Sequence, residues 1–142
     1  YRILSESVFS ICIPCPAHRE GYERVSIEFY YTDADIALRD PATNRRLWFS
    51  NEVEGRRDMT SGRMVTCALP EPKAASEFHK FIFDKDAATI VDEAGAYVGL
   101  SKAAYVETII KNDEIGPNID RSAFAAVFGV VQNILNPPAA VE

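Results

Sequence analysis

Residues 78–111, FHKFIFDKDAATIVDEAGAYVGLSKAAYVETIIK, constrain the fold more than any other stretch of the chain. Residues 79–83 are aromatic and β-branched and alternate in part, which predicts a short strand. Asp84 follows as an N-cap, with Asp86 in a first helical turn facing the positive helix end. Ala87, Ile90, Val91, Ala94 and Val98 recur at i, i+3, i+4, i+7 and i+11, one apolar helix face. Gly99 stands where a C′ residue in the left-handed region ends such a helix. Ser101 then caps a second helix with Tyr105, Val106, Ile109 and Ile110 as its buried face and Asn112 near its end. The expectation is a sharp turn at Gly99 between two short amphipathic helices that share an apolar seam.

Around this stretch the chain divides by pattern. Residues 2–13 are an apolar extended stretch, with Phe9, Ile11 and Ile13 on one side, ended by Pro14 and Pro16. Residues 25–31 alternate Val25, Ile27, Phe29, Tyr31 against Ser26, Glu28, Tyr30, the pattern of a half-buried strand. The turn composition of residues 40–44 predicts a hairpin between 36–39 and 46–49. Residues 52–62 are polar and read as a loop, and 64–69 as another short strand. Pro70 and Pro72 bracket a linker into the second half. Asp120 caps a final helix with the stripe Phe124, Val127, Phe128, Val131 and Leu135, stopped by the prolines after Asn136. The chain therefore reads as α+β, with a β-rich region over 1–72 and a helical region over 73–142, or as one compact domain of both.

At 142 residues, with 47% apolar and 25% charged residues, the chain has the make-up of a globular protein able to build a core without disulfides. No apolar run approaches a membrane span and no secretory leader is visible, so a cytoplasmic protein is expected. The chain begins at Tyr1 rather than Met, as a trimmed or processed fragment would. A net charge of −6 argues against strong general affinity for nucleic acid. Nine of the ten Arg precede Lys73, and six of them (Arg39, Arg45, Arg46, Arg56, Arg57, Arg63) crowd one region among Asp40, Glu52, Glu54 and Asp58.

The residues with chemical capacity are few. Cys12, Cys15 and His18 form C-x2-C-x2-H, and Cys67 would complete a four-ligand zinc site; the alternative is three ordinary buried thiols near a strand end, the odd count fitting a reducing compartment. A Cys12–Cys15 redox pair lacks the βαβ setting such a motif requires. Asp33 and Asp35 suit either acid–base or metal chemistry, or a solvated turn. His79 has no Ser or Cys partner and reads as structural. Arg45, Arg46, Trp48 and Phe49 form either a cationic and stacking platform for nucleic acid or an exposed turn beside a core pair. No phosphate-binding glycine loop, dinucleotide fingerprint, zinc-protease or nucleophile-elbow motif is present. No enzyme and no cofactor is expected.

The run Glu93-Ala94, Gly99-Leu100-Ser101-Lys102, Tyr105-Val106 and Ile109-Ile110, within residues 78–111, resembles the ribbon-helix-helix family of small DNA-binding proteins, which includes plasmid-mobilisation accessory proteins and antitoxins. The resemblance covers about a quarter of the chain. It implies a homodimer whose strands pair into a ribbon that enters the major groove of duplex DNA. Lys80 and Ile82 would then lie on the outward face of the ribbon, and Ser101 and Lys102 would hold a phosphate at the second helix's N-terminus. The chain departs from the pattern in that, of Phe78, Lys80 and Ile82, only Lys80 is a base-reading type. Two functions are thus expected as alternatives. One is a dimeric DNA-binding accessory or regulatory factor. The other is a protein-interaction or structural subunit, favoured by the acidic balance and by the outward Phe78 and Ile82.

Overall fold

The structure is a computed structural model that describes residues 2–5, 8–10, 12–22, 25–74, 80–84 and 87–136. Helix and strand are mixed, in keeping with an α+β class. β1 (Arg2–Ser5) and β2 (Val8–Ser10) form an antiparallel pair at the start of the chain. α1 (Asp33–Ile36) is a single turn, followed by β3 (Trp48–Phe49), β4 (Val53–Arg57) and β5 (Met64–Ala68). β6 (Ile82–Phe83) precedes α2 (Lys102–Lys111) and α3 (Ala125–Leu135). β4 and β5 are an antiparallel hairpin, and β6 pairs antiparallel with β3, setting Phe49 opposite Ile82.

The core draws on both sides of residue 72. Phe29, Ile36, Leu47 and Phe49 pack with Ile82, Leu100, Tyr105, Ile109 and Ile119. A second cluster joins Trp48 and Val53 to Ala87, Ile90 and Val98. Long-range hydrogen bonds tie the same halves: the Trp48 indole donates to Val98 O (3.0 Å) and the Tyr105 hydroxyl to Asp35 O (2.9 Å). Burial pushes the Tyr105 hydroxyl far above its ordinary pKa, so it remains a donor.

α2 forms where the sequence predicts it, and for the predicted reasons. Ser101 Oγ accepts from Ala104 N (3.2 Å), and Asn112 closes the helix. Its buried face is narrower than expected: Tyr105 and Ile109 are buried, whereas Val106 and Ile110 face solvent, Ile110 at 74% exposure. Ile109→Val is therefore expected to cost about 1 kcal/mol in urea unfolding, and Ile110→Val about zero.

The helix expected over 84–98 is not formed, and the strand–helix–turn–helix unit is present only in its strand and its second helix. Ala87–Thr89 makes one 3₁₀ turn, after which the chain runs extended. Val91 N donates to Thr66 O and Ala68 N to Val91 O, so the segment joins the outer edge of β5. Asp92 Oδ1 then accepts from Ala94 N and Ala96 N (both 2.9 Å), and Gly95 takes φ +82°. An Asp that captures its own downstream N–H groups competes directly with a helical ladder. Ala87, Ile90 and Val98 are buried all the same, delivered by a turn instead of a helix face.

Residues 25–31 also depart from expectation. Ile27–Tyr30 is a 3₁₀ turn with Glu28, Phe29 and Tyr30 all buried. Its carbonyls are taken by side chains: Arg19 reaches both Phe29 O and Tyr31 O, and His18 reaches Phe29 O. The turn at 40–44 is present, with Asn44 at φ +57° and Asp40 holding Ala42 N and Thr43 Oγ1. Its upstream arm is α1 and coil instead of a strand, because Thr32 and Asp35 form a reciprocal capping box that starts a helix. Residues 53–57, expected in a loop, are β4. Residues 75–79, among them His79 and Phe78, lie outside the described residues.

Candidate functional site

Of the cations named from sequence as DNA contacts, Lys80, Arg46 and Lys102 are ion-paired within the fold. Lys80 Nζ binds Asp33 Oδ2 (2.8 Å) and lies 4.1 Å from the centre of the Phe49 ring. Ile82 is buried in β6 against Phe49. Arg46 makes a two-pronged bond to Glu52 (3.0 Å each) while stacking 3.6 Å over Trp48. Arg45 lies over the exposed Tyr97 ring at 5.9 Å. Lys102 Nζ binds Glu28 (3.1 Å) and Ser26 (3.3 Å). The N-terminus of α2, expected to hold a phosphate, carries a carboxylate from its own chain: Asp84 Oδ1 accepts from Lys102 N at 3.0 Å. An internal anion thus fills the place that attracts anions at a helix start.

The candidate chemical groups have similar internal roles. Arg19, 3% exposed, donates from Nη1 to Asp33 (2.5 Å) and Tyr22 Oη (3.3 Å), from Nε to Phe29 O (3.1 Å) and from Nη2 to Tyr31 O (2.8 Å). Asp33 thereby bridges Arg19 and Lys80, and Asp35 accepts from Thr32 N as the third-residue member of the capping box of α1. Cys15 donates to Arg19 O (3.3 Å), His18 sits on Phe29 O, and Cys67 lies in β5 opposite Glu54. Among the described residues no three His, Cys, Asp or Glu converge as metal ligands. A groove of ≈ 640 Å³ beside the β4–β5 hairpin includes Arg56, Val65, Cys67, Asp92 and Glu93. Its acids Glu54, Asp58 and Asp92 are committed to Lys73 and to their own turns.

The Asp33 bridge gives a pH prediction. Burial opposes its ionisation, but the hydrogen bonds from Lys80 and Arg19 outweigh burial and hold its carboxyl below the ordinary range. A group with a lowered folded pKa contributes stability above its unfolded pKa of about 4, and that contribution is lost as pH falls through the folded value. The urea midpoint is expected to fall between pH 7 and pH 3. In Asp33→Asn the midpoint at pH 7 is expected to be lower and the fall shallower.

An apolar surface lies on α3. α3 reads AAVFGVVQNIL, contains no charged residue and buries none of its residues. Val127, Val130 and Ile134 (i, i+3, i+7) form a half-buried stripe. Beside it Phe128, Val131 and Leu135, at the same spacing, face solvent, Phe128 at 67% and Leu135 at 71% exposure. Phe124, at the head of the helix, anchors it against Tyr30 (5.1 Å) and Tyr31 (5.0 Å). An 11-residue helix is marginal in water alone, and Gly129 costs about 1 kcal/mol more, so α3 depends on packing that covers only part of its apolar arc. The sequence shows this helix but not that it stays uncovered; the available signal was that no Asp, Glu, Lys or Arg occurs between Arg121 and Glu142.

No family model matches this chain, and no curated protein or solved structure matches it. Among the described residues no helix is long and apolar enough to cross a membrane.

Proposed function

We propose that this chain is a non-enzymatic interaction subunit that docks onto another polypeptide through the exposed apolar stripe of α3. The observation that carries this reading is the exposure of Phe128, Val131 and Leu135 on a helix without a single charge. Each such side chain contributes about 1.5–3 kcal/mol when fully buried, enough in sum to hold a helix on a partner's surface. Contiguous apolar surface of this kind marks interaction sites on folded proteins. The solvent-facing Val106 and Ile110 of α2 add a second apolar pair. Of the positions first named for DNA, Lys80, Ile82, Ser101, Lys102 and Arg46 supply pairing, packing and capping within the fold, while Arg45 lies over the exposed Tyr97 ring; the first five favour this reading over the DNA-binding one.

The test is a photo-crosslinking amino acid placed at Phe128 or Leu135 in the protein's native cells. A discrete adduct from these two sites, and none from the exposed control Asp113, is the expected result. Equal labelling from Asp113, or no adduct from α3, would overturn the reading. A salt-dependent shift of duplex DNA that Lys80→Ala abolishes without lowering the unfolding midpoint would restore the DNA-binding alternative.

A further inference from the structure

We infer that the outer edge of β4 takes up an acidic, extended segment of another polypeptide by strand addition. This surface is separate from α3 and does not depend on what covers that helix. The backbone supplies the first ground. Leu69 N donates to Glu52 O and Asp58 N to Arg63 O, and the register between them sets Glu54 opposite Cys67 and Arg56 opposite Val65. In an antiparallel pair the N–H and C=O groups of alternate residues point to the same side. Those of Glu54 and Arg56 therefore point at β5, and those of Gly55 and Arg57 point away from it. The far edge of β5 is shared with Val91. Among the described residues nothing bonds the outward groups of Gly55 and Arg57, and both residues are exposed. Such a row of alternating donors and acceptors is matched by a second extended backbone, and by neither a phosphate backbone nor a lipid headgroup.

The side chains set the chemistry of the strand that fits. Among the described residues Arg19, Arg46, Lys73, Lys80 and Lys102 each meet a carboxylate. Arg56, Arg57 and Arg63 meet none, although the chain has a net charge of −6. The acids of the hairpin are engaged already: Glu54 by Lys73, and Asp58 by Thr60 N, Ser61 N and Ser61 Oγ. Arg57 Nε donates to Gly62 O (3.2 Å), which leaves both its Nη groups to donate elsewhere. Arg56 and Arg57 are neighbours in β4, so they stand on opposite faces, one on each side of an added strand. Glu or Asp on that strand is neutralised there, and Lys or Arg is repelled. Gly55 leaves a gap on the face that Arg57 and Met64 share. A Cβ at Gly55 would lie 3.4 Å from Met64 Cε, and Met64 is 70% exposed. An aromatic side chain across from Gly55 fills that gap and covers the thioether. The open edge, the unpaired arginines and the glycine gap together select an acidic strand with a central aromatic residue. Arginine on an edge also serves to keep strands off, and the experiment decides between the two roles.

Fluorescence anisotropy of the intact chain with a labelled heptapeptide, Val-Glu-Glu-Tyr-Glu-Glu-Val, tests this. Binding is expected with a Kd on the order of 100 µM at low salt. Replacing the peptide's Glu by Gln, or Arg56 and Arg57 together by Ala, is expected to weaken it about 10-fold, and Val131→Glu on α3 to leave it unchanged. N-methylation of alternate peptide nitrogens leaves the charge intact and removes one row of N–H groups. Binding is expected to be lost when the methylated row is the one that faces β4 and kept when it is the other. In the saturated complex, amide exchange is expected to slow at least about 10-fold at Gly55 and Arg57 and to stay unchanged at Glu54 and Arg56. No binding up to about 5 mM peptide would show that the arginines only keep strands off, and would overturn the proposal. Equal binding of both methylated peptides, or of a thymidine heptanucleotide as tightly as the parent peptide, would reduce the contact to charge alone and overturn strand addition. None of these results bears on the photo-adducts expected from α3.

Discussion

Replacing Gly99 with alanine is expected to cost at least about 4 kcal/mol, a large share of the stability of a domain this size. The cause is close approach of backbone to backbone. A Cβ at Gly99 would lie 1.8 Å from Ala87 O, 2.9 Å from Ala87 C and 3.1 Å from Ile90 Cβ. The first contact is with a carbonyl oxygen that no rotamer change can move. Gly99 is held there from both sides: Arg46 N donates to Val98 O and Leu100 N to Arg46 O, pinning residues 98–100 along the chain beside β3. Relief would require the Ala87–Thr89 turn or the 98–100 segment to shift, and Ala87, Ile90, Val98 and Leu100 are all buried. A helix C-cap at this position, the role expected from sequence, would make the same substitution cost only about 1 kcal/mol. Urea unfolding of Gly99→Ala separates the two: a loss near 1 kcal/mol contradicts the packing described here.

Arg19→Met is expected to cost about 3–5 kcal/mol by the same measurement. The guanidinium holds four oxygens from three sequence neighbourhoods and lies against the Tyr22 and Phe29 rings, 5.4 Å and 5.1 Å from their centres. Met fills part of the volume but leaves Tyr31 O without its donor and Asp33 with only Lys80. Phe29 O keeps His18. A buried acceptor deprived of its partner costs far more than the bond itself contributed. Arg19→Lys is expected to recover little, because an ammonium cannot span Phe29 O, Asp33 and Tyr31 O at once. A loss below 1 kcal/mol for Arg19→Met would show that Ala17–Arg19 is not pinned to the core by this side chain.

What the sequence revealed follows the range of the interactions that decide each segment. α2 is set by its own cap Ser101 and its own periodicity, and it forms as expected. The turn at 40–44 and strand β5 are likewise decided locally by Asp40, Asn44 and the β-branched run from Val65. Residues 84–98 carry a helical apolar period, but Asp92 and Gly95 impose a turn and the open edge of β5 draws Val91 out of helical conformation. The period recorded that Ala87, Ile90 and Val98 are buried but not how they arrive, and Ala94, on the same expected face, is exposed. Residues 25–31 alternate like a strand, yet their carbonyls are satisfied by Arg19, a partner outside the segment that no local pattern announces.

The candidate site divides in the same manner. Lys80, Lys102 and Arg46 looked available because cations usually are; their carboxylates Asp33, Glu28 and Glu52 are brought to them by the tertiary fold. The α3 stripe was visible as periodicity. Its exposure was not, because periodicity states which side of a helix is apolar and leaves open whether anything packs there.

Amide hydrogen exchange over Ala125–Leu135 in dilute, isolated chain tests the central claim most directly. An uncovered α3 predicts exchange at least about 100-fold faster there than at Trp48–Phe49 and at Tyr105–Ile109. Protection of α3 equal to that of those core segments in the dilute chain would mean that its stripe is already buried, and would contradict the account.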